Sequence, residues 1–260
     1  MNAQAAQAAQ AAQAEGAAPA SAVRSGVPAL EISNLEAWYG ESHILHNVNL
    51  TVTPGEVVTL LGRNGAGRTT TLRAIMGLTG TRRGSIKVNG AEAIDLPTYK
   101  IAHLGIGYCP EERGIFSSLS AEENLLLPPM VSSTERGMSL EEIYDMFPNL
   151  AERRNSQGTR LSGGEQQMLA VARILRTGAR LLLLDEISEG LAPVIVQTLA
   201  RMITTLRAKG YTIVMVEQNF RFAAPLADRF YVMEHGQIVE TFASSALQEK
   251  MPILHELLGV

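Results

Sequence analysis

The chain has 260 residues, which suits one domain with a lobe or insertion better than two independent domains. Its formal net charge of -4 lacks the basic excess that marks most nucleic-acid-binding proteins. The single cysteine, Cys109, excludes an internal disulfide framework and a multi-cysteine zinc site, and we expect it in the core or in a strand. No apolar run approaches the roughly 20 residues that a spanning helix needs, so any membrane association must come from a partner.

The first 28 residues differ in composition from the rest. Met1 to Ala20 is built largely from Ala-Ala-Gln triplets and lacks the basic start and leucine-rich centre of a secretory signal. The segment offers no large side chains to bury, so we predict that residues 1–28 form a disordered Ala/Gln-rich tail. The folded domain is then expected over residues 29–260.

Short β-rich runs dominate the first part of the folded region. The expected strands are residues 30–35, 47–52, 57–61 and 84–90. The first two predict an antiparallel entry region, and the apolar third predicts a buried strand. A helix is expected over residues 70–78, where the apolar residues have helical spacing, and Asn89-Gly90 predicts a turn.

The middle of the chain, residues 112–160, carries helix signals without intervening strands. Ser120 and Ser139 each begin a capping box that a glutamate completes three residues later. We therefore expect a helical lobe. Strand and helix signals alternate again after it: a helix from Glu165, a strand at 181–184, a helix from Pro193, a strand at 211–216, a hairpin at 229–241 and a small C-terminal helix. The order predicts an α/β fold with a mixed or parallel sheet core, an antiparallel β subdomain and a helical insertion lobe.

A glycine-rich loop lies between the predicted buried strand and the helix that follows. Its residues are Gly62, Arg63, Asn64, Gly65, Ala66, Gly67, Arg68, Thr69 and Thr70. The glycines let backbone N–H groups converge on an anion, and the helix N-terminus adds partial positive charge, so the segment predicts a phosphate loop. Arg68 stands where that pattern has lysine, while Thr69 keeps the hydroxyl expected to bind Mg²⁺. The alternative is a glycine-rich strand-to-helix turn with no ligand.

Two carboxylates end the apolar run 181–184. Ligand sites in such sheets lie at the carboxyl ends of strands, which places Asp185 and Glu186 beside the phosphates. We expect Asp185 to hold Mg²⁺ through water, and Glu186 to orient or deprotonate an attacking water in phosphoryl transfer. An acidic strand-to-loop junction at the surface would be preferred if the phosphate loop were absent.

The most specific segment of the chain comprises Leu161, Ser162, Gly163, Gly164 and Glu165. Ser162 and Glu165 form a capping box ahead of a helix with one apolar face. A helix start alone does not explain two glycines directly after the cap. These glycines expose backbone N–H groups and invite close approach by another anion or chain.

The order of these motifs resembles that of the ABC ATPases, which are P-loop NTPases, from Leu30 to the C-terminus. In this resemblance residues 62–69 match the phosphate loop and residues 161–167 match the family signature. The resemblance implies that ATP and Mg²⁺ are the ligands and that Asp185 and Glu186 are the magnesium and catalytic acids. Tyr39 matches the aromatic residue that stacks on adenine, although a strand aromatic needs no functional reason.

Two further positions take their roles from the resemblance. Glu111 falls where the family has the glutamine that links nucleotide to permease, so we count it with Thr69 and Asp185 among the magnesium ligands. Gln218 falls where the family has a switch histidine, beside the catalytic Glu186. Its amide can bind the γ-phosphate or the attacking water but cannot titrate as histidine does. Alternatively, Gln218 is a polar residue that caps the next helix.

Within the family the chain is similar to the smaller ATP-binding component of branched-chain amino-acid importers. The similarity is carried by Pro110-Glu111, residues 190–193 and residues 216–219. It implies an ATP-hydrolysing subunit in which the phosphate loop of one subunit and the signature loop of a second ABC ATPase subunit, identical or paralogous, enclose each ATP. It also implies transmembrane permease partners, an indirect link to a periplasmic substrate-binding protein, no nucleic acid, and a cytoplasmic position on the inner face of the plasma membrane.

The chain departs from the family pattern at Arg68 and Gln218, at Ile187, where proline is common, and at Ala192, where aspartate is common. Arg68 bears on hydrolysis more than on binding, because guanidinium stays charged but is bulkier than ammonium. Two alternatives to the importer subunit stay open. One is a soluble ABC ATPase of translation or repair, a class that usually has tandem cassettes or a coiled-coil insertion. The other is a regulatory subunit that binds ATP without hydrolysing it.

Overall fold

The computed structural model describes residues 26–131 and 136–259, so residues 1–25 of the predicted tail lie outside it. The strands are β1 Leu30–Tyr39, β2 Ser42–Val52, β3 Val57–Gly62, β4 Thr81–Val88, β5 Ala91–Glu92, β6 Ile106–Cys109, β7 Leu181–Asp185, β8 Thr212–Val216, β9 Arg229–Glu234 and β10 Gln237–Ala243. The helices are α1 Arg68–Ile75, α2 Thr98–Ala102, α3 Ala121–Leu126, α4 Leu140–Met146, α5 Pro148–Glu152, α6 Gly163–Leu175, α7 Pro193–Ala208, α8 Phe220–Ala223 and α9 Leu247–Leu258.

A four-stranded antiparallel sheet, in the order β2-β1-β4-β5, confirms the predicted antiparallel subdomain. Its first strand is longer than predicted, because β1 continues to Tyr39, which pairs with Ser42 of β2. Asn34 has a left-handed φ of 50° and the register shifts on either side of it. Such irregularities break the alternation of polar and apolar residues, which explains why the sequence predicted an end at residue 35.

A six-stranded sheet, in the order β10-β9-β3-β8-β7-β6, forms the centre of the fold. All its neighbouring strands are parallel except β9 and β10, which form the predicted hairpin. Every residue of β3, β7 and β8 is buried, as expected of parallel strands covered on both faces. The carboxyl ends of these three strands lie side by side, which brings Gly62, Asp185 and Val216 to one edge.

The two faces of this sheet pack against different layers. Leu182 and Leu184 of β7 share a hydrophobic cluster with the helical lobe, including Phe147. Leu181 and Leu183, which point to the opposite face, share a second cluster with the antiparallel sheet and α1. The parallel sheet is therefore sandwiched between a helical layer and the layer that contains the antiparallel sheet.

The stretch from 112 to 160 contains α3, α4 and α5, which confirms the predicted helical lobe. The capping boxes at Ser120 and Ser139 are both formed, with each serine accepting the backbone N–H of the glutamate three residues on. In residues 112–131 and 136–160 the β structure is confined to one isolated bridge, between Ser120 and Gln157. The Val131 N–H donates to Thr177 O at 2.9 Å and ties the lobe to the end of α6.

Several elements differ from the predictions in position or were not predicted. Helix α2 and strand β6 were missed, and β4 begins at Thr81 rather than at residue 84. Helix α6 begins at Gly163, two residues before the predicted start, because Ser162 is its N-cap. Cys109 is a buried strand residue, as expected. Across the described residues, no helix combines the length and apolarity that crossing a membrane would require.

Candidate functional site

The glycine-rich loop turns from β3 into α1 around two left-handed glycines. Gly65 has a φ of 80° and Gly67 a φ of 103°, in a backbone region that residues other than glycine rarely adopt. Gly67 is the N-cap of α1, and no side chain accepts a hydrogen bond from the first turn of that helix. The backbone N–H groups at the start of α1 are therefore available to an anion.

Most of the predicted phosphate-loop residues line one cavity of about 460 Å³. Its lining residues are Ile44, Asn64, Gly65, Ala66, Gly67, Arg68, Thr69, Thr70, Glu111, Glu186 and Glu189. Gly62 is not among them. It packs closely against β9, and an added Cβ would lie only 2.6 Å from Met233 O. Arg63 points toward α9, where its Nη2 donates to Glu256 O at 3.0 Å. The structure thus separates these two residues from the other members of the predicted loop.

Arg68 connects the loop to the acid pair. Its side chain is 4% exposed, and its Nη2 lies 2.6 Å from Glu186 Oε1 and 3.2 Å from Asn64 Oδ1. Its Nη1 is buried and has no hydrogen-bond partner among the residues that the structure describes. A buried donor of a charged group without a partner is costly, so this nitrogen fits a site that receives an anion.

Asp185 is fully buried and both of its carboxylate oxygens accept hydrogen bonds. Thr69 Oγ1 donates to Oδ1 and the Tyr108 hydroxyl donates to Oδ2, each at 2.9 Å. Burial raises the pKa of Asp185, and these two hydrogen bonds oppose that change. Thr69 and Asp185, predicted from separate motifs, therefore place two oxygen ligands together. Hydroxyl and carboxylate oxygens are the donors that Mg²⁺ prefers, so these residues fit that ion.

Glu186 has an unusual backbone and a shifted acidity. Its φ is 48°, and its N–H donates to Val216 O at 2.9 Å. Burial raises the pKa of Glu186 to about 7, the neighbouring Glu189 and Glu111 add to the increase, and Arg68 opposes it. A carboxylate with a pKa close to neutral suits general base chemistry.

Glu111 lies beside Glu186 and Glu189, and one carboxylate oxygen from each of the three lies within 4.8 Å of the others. The sequence had grouped Glu111 with Thr69 and Asp185 as magnesium ligands. Glu111 lines the same cavity as Thr69, so the structure places it at the predicted site but next to the catalytic candidate rather than bonded to Asp185.

Gln218 lies near Glu186 but does not line the phosphate-loop cavity. It lines a second cavity, of about 820 Å³, that shares Glu186 and Glu189 with the first. The interpretation of Gln218 as a helix cap is wrong, because the side chain of Asn219 caps α8 by accepting the Phe222 N–H at 3.2 Å. Gln218 is thus at the predicted site and has no capping role.

The signature segment forms the predicted capping box, with Glu165 N–H donating to Ser162 Oγ and Ser162 N–H donating to Glu165 Oε2. Ser162 and Gly163 are exposed and Leu161 is buried. Gly164 is also buried. It packs so closely against Ile195 that an added Cβ would lie 2.7 Å from that side chain. The expectation that both glycines are open to another anion or chain is therefore corrected for Gly164, which packs against α7 of its own chain.

Ser162 and its glycines line neither of the two cavities around Glu186. A residue that sequence reasoning missed, Arg113, connects this segment to the Glu111 loop. Its Nη1 donates to Gln166 Oε1 at 3.0 Å and its Nε donates to Gln167 Oε1 at 3.3 Å. Arg113 therefore joins the loop that follows β6 to the first turn of α6.

Tyr39 lies at the end of β1, is 38% exposed, and is not part of the cavity lining. The pKa of Arg73 in α1 is raised first by hydrogen bonding to Tyr108 and to a smaller extent by the nearby Tyr39 and Glu112. The structure therefore places Tyr39 beside the phosphate-loop helix, and its stacking on adenine stays a prediction.

Comparison with known proteins decides the family. The model of the ABC transporter family matches residues 45–189, which include the phosphate loop, the signature segment and the acid pair. The chain belongs to the ABC transporter family, as an ATP-binding subunit. Its reaction is accordingly ATP hydrolysis, and the resemblance stated from the motifs is confirmed.

Similar proteins include two kinds of ABC transporter subunit. The chain is 40% identical to the high-affinity branched-chain amino acid transport ATP-binding protein BraG of Pseudomonas aeruginosa, over 88% of this chain and 99% of the relative. It is 34% identical to the lipopolysaccharide export system ATP-binding protein LptB of Haemophilus influenzae, over 82% of this chain and 89% of the relative. A nucleotide-free ATP-binding cassette from an ABC transporter aligns with a TM-score of 0.76 at 21% identity, over 89% of this chain and 97% of that chain, and so supports the fold.

Proposed function

We propose that this ABC ATPase drives an importer of branched-chain amino acids as one half of a nucleotide-enclosing dimer. The observation that carries the proposal is the convergence of Arg68, Thr69 and Glu186 on one cavity, with Asp185 bonded to Thr69 behind it, while the signature segment lines neither cavity around Glu186. The branched-chain cargo is supported by the identity of 40% to BraG over nearly its whole length, against 34% to LptB. The ATPase domain is proposed to span residues 29–260, after the tail at 1–28.

The proposed nucleotide contacts follow from the lining of the first cavity. Backbone N–H groups of residues 64–70 bind the phosphates, and the buried Nη1 of Arg68 gains a phosphate oxygen as its partner. Thr69 and Asp185 would hold Mg²⁺, with Glu111 close by, and the bound ion would supply positive charge opposite the phosphate oxygens. Tyr39 is proposed to stack on the adenine.

Glu186 is the proposed general base. It accepts a proton from the attacking water as the water oxygen bonds to the γ-phosphorus, and the bond from that phosphorus to the leaving oxygen of ADP breaks. Gln218, which lines a cavity together with Glu186, orients this water through its amide. The raised pKa of Glu186, about 7, makes it a stronger base than an exposed glutamate while leaving it largely ionised slightly above neutral pH.

The second half of each site is proposed to come from the other ATPase subunit. The exposed Ser162 and Gly163, at the N-terminus of α6, face the γ-phosphate bound by the partner. The active protein would then be a head-to-tail dimer on two permease subunits, at the inner face of the plasma membrane. A periplasmic binding protein would act through the permease, and nucleic acid would have no role.

Transport in a reconstituted system tests the cargo and partner proposals. The chain is coexpressed with candidate permease and binding-protein subunits and incorporated into proteoliposomes, and uptake of labelled leucine is measured with ATP inside. Uptake should require ATP and should disappear in a complex that carries Glu186→Gln. ATP-dependent lipid extraction in place of uptake would contradict the importer.

The structure of a trapped complex tests the shared site. The Glu186→Gln variant is loaded with Mg²⁺ and ATP, and the distance from Ser162 Oγ to the nearest γ-phosphate is determined. A hydrogen-bond distance across two subunits is expected. A serine remote from every γ-phosphate would end the dimer proposal while leaving the ATPase family unaffected.

A further inference from the structure

The catalytic candidate Glu186 has a backbone that needs support. A φ of 48° is uncommon for a residue other than glycine and persists only where the surrounding structure enforces it. Two backbone hydrogen bonds contribute, from the Glu186 N–H to Val216 O at 2.9 Å and from the Glu189 N–H to Glu186 O at 3.2 Å. The first of these joins the ends of β7 and β8, so the position of Glu186 depends on the neighbouring strand.

A buried carboxyl at the end of that neighbouring strand reaches the same turn. Glu217 is 1% exposed, and its Oε1 accepts the backbone N–H of Ser188 at 3.2 Å. Its Oε2 lies 2.8 Å from the hydroxyl of Ser188, which is itself buried. One side chain thus bonds both the backbone N–H and the hydroxyl of Ser188, the residue two positions after Glu186.

We propose that Glu217 is a positioning residue for hydrolysis, which fixes the turn from Glu186 to Glu189 through Ser188 and thereby aims the Glu186 carboxylate at the attacking water. The inference rests on the proposed catalytic role of Glu186 and does not depend on the cargo. Glu217 does not line the phosphate-loop cavity, so it acts through Glu186 rather than on the phosphates.

The choice of a carboxyl at this place supports a positioning role. A buried carboxyl is unfavourable unless its hydrogen bonds are made, and an apolar side chain would fill the same space at lower cost. An apolar side chain could not accept the Ser188 N–H or bond its hydroxyl, so the turn would keep only the backbone bond from Glu186 to Val216 as its link to β8. Arg68 contacts the Glu186 carboxylate directly, at 2.6 Å. Arg68 therefore holds the side chain of Glu186, and Glu217 holds its backbone through the turn from Glu186 to Glu189.

Glutamine gives a matched test because its amide can accept the Ser188 N–H and donate to the Ser188 hydroxyl. The purified full chain is compared with Glu217→Gln, Glu217→Ala, Ser188→Ala and Ser188→Thr in steady-state phosphate release. We expect Glu217→Ala to lower kcat by about tenfold or more with the KM for MgATP changed by less than about threefold. Glu217→Gln and Ser188→Thr should recover most of kcat, because both restore the hydrogen bonds.

A double variant separates positioning from general damage. If Glu217 acts only through Ser188, Glu217→Ala combined with Ser188→Ala should be no slower than the slower single variant. A double variant whose kcat falls by the product of the two single effects would overturn the inference. So would a Glu217→Gln variant as slow as Glu217→Ala, or a rise in KM at unchanged kcat. Should Glu217→Ala fail to fold, the Ser188→Ala and Ser188→Thr pair decides by the same kcat criterion.

The parallel variant Glu186→Gln distinguishes this inference from the function on which it rests. An inactive Glu186→Gln together with a fully active Glu217→Ala would overturn only the positioning role. A fully active Glu186→Gln would overturn the catalytic role and the positioning role together.

Discussion

Replacing Glu217 by glutamine should change how the stability of the protein depends on pH. Burial raises the pKa of Glu217 to about 8 in the folded chain, the charge of Glu186 adds to the increase, and the hydrogen bonds from Ser188 and the charge of Arg68 oppose it. The ordinary value of this pKa is 4.5, which applies when the chain is unfolded. Glu217 therefore keeps its proton over a pH range in which the unfolded chain has lost it.

The sign and size of the effect follow from this difference. Below pH 4.5 both states are protonated and Glu217 costs no ionisation energy. As pH rises from 4.5 to 8 the unfolded state releases the proton first, so the free energy of unfolding falls, and the loss is complete above pH 8. Each pKa difference of one corresponds to about 1.4 kcal/mol, so the total is at most roughly 5 kcal/mol, and we expect at least about 2 kcal/mol.

Urea unfolding of the wild type and of Glu217→Gln at intervals from pH 5 to 8.5 measures the effect. Glutamine retains the bonds to Ser188 and has no proton to lose, so the variant should gain on the wild type by at least about 2 kcal/mol between these limits. Glu41→Gln, which removes an exposed carboxylate between β1 and β2, is the control and should run parallel to the wild type. Parallel curves for wild type and Glu217→Gln would refute the reasoning, because Glu217 would then be ionised in the folded chain.

Three further predictions concern the site. Glu186→Gln should abolish steady phosphate release while ATP affinity, measured by calorimetry, stays within about tenfold, since the carboxylate acts on water rather than on nucleotide; release at the wild-type rate would contradict this. Arg68→Lys should preserve or raise turnover, because ammonium is smaller and is still charged, and loss of nucleotide binding in that variant would count against phosphate contact by residue 68. The kcat/KM for ATP should rise with pH through about 7 as Glu186 loses its proton, and a profile that is flat from pH 6 to 8 would exclude it as the base.

The parts of the fold that were predicted correctly are those whose signals are local. The apolar runs at 57–61, 181–184 and 211–216 are buried strands, because covered parallel strands need apolar residues on both faces. Capping boxes likewise depend on residues three positions apart. Strand β6 was missed since its four residues, including Gly107 and Tyr108, show neither clear alternation nor a long apolar run.

The contacts of the site likewise fall into predicted and unpredicted ones. The phosphate loop and the acid pair are each a continuous segment of the sequence, and Thr69 meets Asp185 because the ends of parallel strands share an edge. The contacts of Tyr108 with Asp185 and of Glu217 with Ser188 were not predicted. They require that β6 adjoin β7 and that β7 adjoin β8, and the order of strands in a sheet is not encoded in any single segment. The sequence signal that could have pointed to Glu217 is an acidic residue directly after an apolar strand.

The geometry of Arg68 explains how arginine can stand where the phosphate-loop pattern has lysine. Two nitrogens of one planar guanidinium differ in their contacts: Nη2 contacts Glu186 and Asn64, whereas Nη1 has no partner within residues 26–131 and 136–259. A phosphate oxygen can therefore bind Nη1 without breaking the contact between Nη2 and Glu186. That contact favours the ionised form of Glu186, which is the form a general base requires. Arginine at this position is thus compatible with hydrolysis as well as with binding, because its fork can contact a phosphate and the proposed catalytic carboxylate together.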